Sequence, residues 1–198
     1  MLGARADLVR RLWLVVAAVC TPALALAAQD HPIMLELGAG SLAPDDPFQA
    51  FLSFRGSAGW ILSHRDALAI DYTRQTKSRA TSEDLGKYAR QFLGLAWHHS
   101  FQEAFYDDET LRQQYFFKLS AGLLVRGRTP TLGSADLANA PFVGAALAIR
   151  YPLSSRIAAV GEIEDDMAFI PRQTVDSIRI GGELQHNFGL FILVQWRP

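Results

Sequence analysis

Only one cysteine occurs in the 198 residues, Cys20, and it falls in a segment that reads as removable. After residue 30, no apolar run approaches the ~20 residues that a membrane helix needs. An excess of one charge is missing too, because 19 basic residues face 20 acidic ones for a net charge of -1. A balanced chain has no basic field to draw in nucleic acid, so no such partner is expected. Gly38 and Gly40 sit in an alternating stretch and not before a helix, and no phosphate-binding loop or dinucleotide fingerprint is found. These counts argue against coiled coil, collagen, disorder and a helical membrane protein. What is abundant is apolar bulk: 49% of residues, 12 Phe among them, diluted to a mean hydropathy of +0.08. The length sets one domain as the expectation.

The first residues read as an export address. Arg5, Arg10 and Arg11 precede an apolar core at residues 12–19, and Ala25, Leu26 and Ala27 supply a signal-peptidase site. Residues 1–27 are therefore expected to be a signal peptide, cleaved after Ala27 following Sec export. Val19 stands where a lipidation motif before Cys20 wants a small residue, and the surroundings of Arg10 and Arg11 fit a twin-arginine signal poorly. Cleavage removes three arginines, one aspartate and the only thiol, so the exported chain has no disulfide and no thiolate chemistry.

The period of the remaining chain is two. From Ile178 the even positions run Ile178, Ile180, Gly182, Leu184, His186, Phe188, Leu190, Ile192, Val194, Trp196. The odd positions are mostly polar or Gly, and a helix would scatter that split around its axis. This predicts one long strand to Trp196, whose half over residues 175–184 projects past a membrane. The same alternation recurs at residues 52–62, 68–73, 115–126, 143–151 and 157–164, with a short first strand at 33–41 and a strand of ambiguous register within 88–105. Eight strands result, joined by alternating short and long connections.

Two closed barrels could use them, a soluble cup and a membrane barrel. The polar faces carry Arg55, Lys118, Arg126, Arg150, Glu162, Glu164, Arg179 and Glu183 among Gly, Ala and Ser, which suits a narrow interior. The apolar faces end in Trp60, Tyr72, Tyr151 and Trp196, as interfacial girdles require. The expected fold is all-β: an eight-stranded antiparallel up-and-down transmembrane β-barrel with those eight charges in its lumen.

The run FVGAALAIRYPLSSRIAAVGEIEDD, read as a hairpin, and the closing run LQHNFGLFILVQW resemble the eight-stranded outer-membrane β-barrel superfamily, which includes OmpA-type and OmpW-type barrels. The likeness covers roughly residues 31–198. It implies an outer-membrane barrel domain at 28–198, with both termini in the periplasm. Phe188, Leu190, Ile192, Val194 and Trp196 fit the family's closing-strand signal for the barrel-assembly machinery, although Arg197 and Pro198 follow the aromatic. Outer-membrane lipid and lipopolysaccharide are the implied surroundings, and a monomer without cofactor is expected.

Chemistry is sparse. The eight lumen charges are expected to plug the barrel by pairing, since buried charge is tolerable when paired. The expected role is structural or interactive, not enzymatic, with a small OmpW-like channel as the alternative. Lipid A deacylases place His-x-Ser on a barrel strand; His98 and Ser100 have that spacing, with Glu162 or Glu183 as the acid, but the rest of that motif is missing. His99 with Glu103, and Asp107, Asp108 and Glu109, match no metal spacing. Asp45, Asp46, Glu164, Asp165 and Asp166 are expected towards the outer rim.

Overall fold

A computed structural model describes residues 33–44, 51–75, 90–102, 113–126, 138–175, 178–180 and 182–198. The proposed signal peptide, Asp45, Asp46, Glu103, Asp107, Asp108 and Glu109 lie outside the described residues.

Small and polar residues alternate with large apolar ones throughout β1 (Ile33–Pro44), β2 (Phe51–Ile61), β3 (Asp66–Gln75), β4 (Arg90–Ser100), β5 (Gln114–Arg126), β6 (Ala140–Pro152) and β7 (Ile157–Ile170). A small hairpin follows, β8 (Gln173–Val175) with β9 (Ile178–Ile180), before β10 (Glu183–Trp196). Eight of these strands close in the order β1-β10-β7-β6-β5-β4-β3-β2, every neighbour antiparallel. Closure leaves no strand edge, the condition that a lipid solvent sets on a sheet.

The register is staggered. Following paired neighbours once around the wall, Ile33 leads through Trp60, Leu68, Trp97, Leu119, Ala145, Asp165 and Phe188. The circuit returns to β1 at Ala43, ten positions beyond its start. For eight strands that shear fixes a tilt of roughly 40° and an interior just wide enough for side chains. Two tight turns, after β2 and after β6, lie at the end that carries Ile33 and Trp196, closed by Leu62 N–H to Asp66 O at 2.8 Å and Leu153 N–H to Ile157 O at 2.8 Å.

The alternation splits the wall as the sequence predicts. Leu37, Leu95, Leu147, Ile163, Leu190 and Ile192 face out and are exposed, whereas Ser53, Arg55, Lys118, Arg150, Glu162 and Glu164 face in and are buried. Trp60, Tyr151 and Trp196 stand near the terminal end of the wall, with Tyr115 and Trp97 beside them; Tyr72 lies further up β3. The interior also holds apolar groups that the period alone assigns ambiguously. Leu42, Phe92, Leu124, Phe142, Ala168 and Ile170 fill the far half, continuous with Phe191 and Leu193. The rings of Phe92 and Phe142 meet edge to face at 5.4 Å.

One element is corrected. The alternation from Ile178 is not a single strand, because Gly182 takes φ +86° and donates its N–H to Ile170 O at 2.9 Å. That left-handed residue interrupts the strand between β9 and β10, and β9 pairs with β8, Val175 against Ile178, and not with a barrel strand. The first strand also runs three residues beyond its expected end, to Pro44.

Candidate functional site: a charged lumen

At mid-height, β7 presents Glu162 and Glu164 inward, two residues apart and so on one face. Arg55 on β2 reaches both: Nη1 donates to Glu162 Oε1 at 2.5 Å and Nη2 to Glu164 Oε1. Its Nε donates to Thr73 Oγ1 at 2.8 Å, and its guanidinium lies over the Phe191 ring. Lys118 on β5 donates Nζ–H to Glu162 Oε1, to Asp71 Oδ2 at 3.3 Å and to Glu164 Oε2 at 3.5 Å. Neither β2 nor β5 neighbours β7 in the wall, so the bonds to Glu162 and Glu164 cross the lumen, whereas the Arg55–Thr73 bond joins adjacent strands. The cluster is buried, with Arg55, Lys118, Glu162 and Glu164 each under 5% exposed. Buried charge so placed is stabilising only while its partners remain.

Four of the eight predicted lumen charges thus meet, and four do not. Arg150 is fully buried but occupies a separate layer nearer the termini, bonded to amides, with Nε to Gln195 Oε1 and Nη1 to Gln114 Oε1, both 2.6 Å. Gln195 passes that layer on to Glu36 at 2.8 Å. Arg126 ends β5 at the far mouth, half-buried and paired in register with Arg90. Arg179 lies on β9, outside the barrel, because β9 pairs with β8 and not with a barrel strand; Glu183, the first residue of β10, is exposed at the far rim. Two further carboxylates join the cluster. Asp71 was on the polar face of its strand, and Asp166 shares the parity of Glu162 and Glu164. Asp166 accepts from Ser120 Oγ at 3.3 Å.

His98 and Ser100 do share a face, and it is the inner one at the terminal end. Ser100 is fully buried and its Oγ accepts from Gln102 N–H at 3.1 Å. His98 shares a small cavity with Glu36, Glu162 and Gln195, and its Nε2 has no hydrogen-bond partner among the described residues. Glu183 stands at the opposite end, so it cannot be the acid of that pair. Among the described residues no group of three or more His, Cys, Asp or Glu side chains could hold a metal ion.

The outer wall carries two polar pairs that sequence reasoning missed. His99 Nδ1 lies 2.9 Å from Asp66 Oδ1 near the terminal end, and His186 Nδ1 lies 2.9 Å from Asp165 Oδ2 towards the far end. Phe188, Leu190, Ile192, Val194 and Trp196, the expected assembly signal, all face outward on β10 and are exposed.

A closed eight-stranded antiparallel barrel, apolar outside and charged within, is a transmembrane β-barrel. No family model matches the chain, and no curated protein matches it. Solved structures do. The crystal structure of Neisserial surface protein A (NspA) is similar at 14% identity over 84% of this chain and 97% of that one, TM-score 0.61. The solid-state NMR structure of outer membrane protein AlkL in DMPC lipid bilayers is similar at 9% identity over 85% and 90%, TM-score 0.55. The N-terminal β-barrel domain of Pseudomonas aeruginosa OprF follows at 10% over 84% and 100%, TM-score 0.52. At these identities the likeness is one of fold.

Proposed function

We propose that the chain is an exported outer-membrane protein whose lumen is closed by its own side chains, serving a structural or interaction role with no catalysis. The observation that carries this reading is the lumen-crossing bond set from Arg55 and Lys118 to Glu162 and Glu164. Above it, the apolar layer around Phe92 and Phe142 fills the far half. An ion entering from the far end meets first an apolar plug and then paired fixed charges.

In this reading residues 1–27 are the export signal, the tight turns face the periplasm and the longer connections face outward. Lipid and lipopolysaccharide surround a monomeric wall, and the barrel-assembly machinery reads Phe188 to Trp196 on the last strand. The inward placement of His98 and Ser100 supports a non-enzymatic role, because a lipid ester would contact the outer face.

Fractionation with a heat-modifiability gel, then planar bilayers, tests the proposal. Expected are an outer-membrane fraction, a mobility shift between unboiled and boiled samples, and no steady conductance. A soluble periplasmic protein with no shift would overturn the location. Stable single-channel steps from the native protein would overturn the closed lumen in favour of a small channel.

A further inference from the structure

His98 is 6% exposed on the inner face of β4, and its Nε2 finds no hydrogen-bond partner among the described residues. At that burial bulk water does not serve the ring, and a polar atom left unbonded there is costly. The ring lines a cavity of about 10 Å³, the size at which a polar cavity holds a single water. Glu36 and Gln195 enter the cavity from the layer nearer the termini, and Glu162 enters it from the charge cluster. The rest of the lining is Phe116, Ala148 and Val160, none of which has a polar side chain. The cavity therefore separates the two polar layers.

The bonding capacity of the lining fixes what fits. Both amide hydrogens of Gln195 are taken, because Nε2 donates to Glu36 Oε1 at 2.8 Å and to Met34 Sδ at 3.0 Å. Its Oε1 accepts from Arg150 Nε at 2.6 Å. Glu36 and Glu162, as carboxylates, can only accept, and each has more acceptor sites than its present donors occupy. An occupant must therefore bring hydrogens for two carboxylates, and it can receive one only from His98. Water has that complement. Two O–H donors and a lone pair for an imidazole N–H make the three bonds usual for a buried water. The same count chooses the tautomer, with the ring hydrogen on Nε2.

We propose that this cavity binds one water molecule, which donates to the carboxylates of Glu36 and Glu162 and accepts from His98 Nε2–H. The inference rests on the closed-lumen reading and deepens it, since the closure then retains a solvent molecule that joins the two polar layers.

The test uses the full chain, isotope-labelled and folded in perdeuterated phosphocholine micelles, so that His98 is assigned by NMR in the native protein. Expected are a proton on Nε2, with the nitrogen shift of a pyrrole-type atom, and a cross-peak from that proton to a long-lived water. The Gln195 side-chain amide should report the same water. An unprotonated Nε2 would assign the cavity to a hydrogen-donating cation such as ammonium and overturn the water. A protonated Nε2 without a water contact would mean a dry cavity and overturn the site. His98→Phe, which keeps a ring but no donor, should abolish the water contact at Gln195; its persistence would overturn His98 as a ligand. If that variant loses its heat shift, the native spectrum alone decides. Conductance in planar bilayers reports the lumen separately. A conducting barrel fails the closed-lumen reading, whereas a silent barrel without the bound water fails only the site.

Discussion

The guanidinium carbon of Arg55 lies 3.9 Å from the centroid of the Phe191 ring, with Glu162 and Glu164 on its charged edge. The ring accepts the cation on the side where no carboxylate stands, so Arg55 is held both by charge and by a π face. Replacing it with Leu keeps apolar contact with Phe191 but leaves the two glutamates to Lys118 alone. Removing one partner of a buried pair costs about 3–5 kcal/mol. Urea unfolding of Arg55→Leu in lipid vesicles should show a loss of that size, and planar bilayers should show whether the lumen opens with it.

The opposite sign is expected of a carboxylate. Two cations, Arg55 and Lys118, face Asp71, Glu162, Glu164 and Asp166 in one buried region. Asp166→Asn keeps the shape and an acceptor for Ser120 while removing excess negative charge. The same unfolding assay should find it within about 1 kcal/mol of the native protein or more stable. A loss as large as that of Arg55→Leu would mean that Asp166 has a partner the charge count ignores.

Gly38 sits where β1 meets β10. A Cβ there would stand 2.1 Å from Ile192 O and 2.6 Å from Leu193 Cα, both backbone, so only a shift of the strand could admit it. At Gly56, on the outer face, the nearest atom to such a Cβ is Leu37 Cδ1 at 3.8 Å. Gly38→Ala should cost about 1–3 kcal/mol and lower the heat-modifiable fraction, and Gly56→Ala should leave both unchanged.

Ile192 is 73% exposed on the outer wall, midway between the levels of Trp196 and Phe188. Lysine there should cost roughly 2–4 kcal/mol, falling to about 0–1 for Trp196→Lys near the interface. Folding titrations into short-chain vesicles would measure both. Equal costs would place the lipid boundary elsewhere.

Much of this was legible before any strand was paired. Leu190, Ile192 and Val194 against Gly189 and Gln195 announce a strand, and Glu162 with Glu164 announces a face. Four things were not legible. Periodicity does not register a local break, so the even-numbered apolar run passed through Gly182 unbroken, although the left-handed residue there interrupts the strand and leaves Arg179 outside the barrel. Parity also says nothing of height. Arg150 and Arg55 share the inner face, yet one sits among amides and the other among carboxylates, and only the stagger of the register separates them. Phe191 and Leu193 fell on a face read as mostly polar because both faces of β10 are apolar there. Asp66 and His99 escaped notice because they lie 33 positions apart and meet only across paired strands.

The seam of the wall joins β1 to β10, the first strand of the barrel to its last. A ribosome must therefore release Trp196 before Leu35 acquires its mate, and until then both margins of the sheet are unmatched. No prefix of the chain is a smaller version of the finished object. On the proposed export route the chain would travel open, and pairing β1 with β10 is the step that makes it an enclosure.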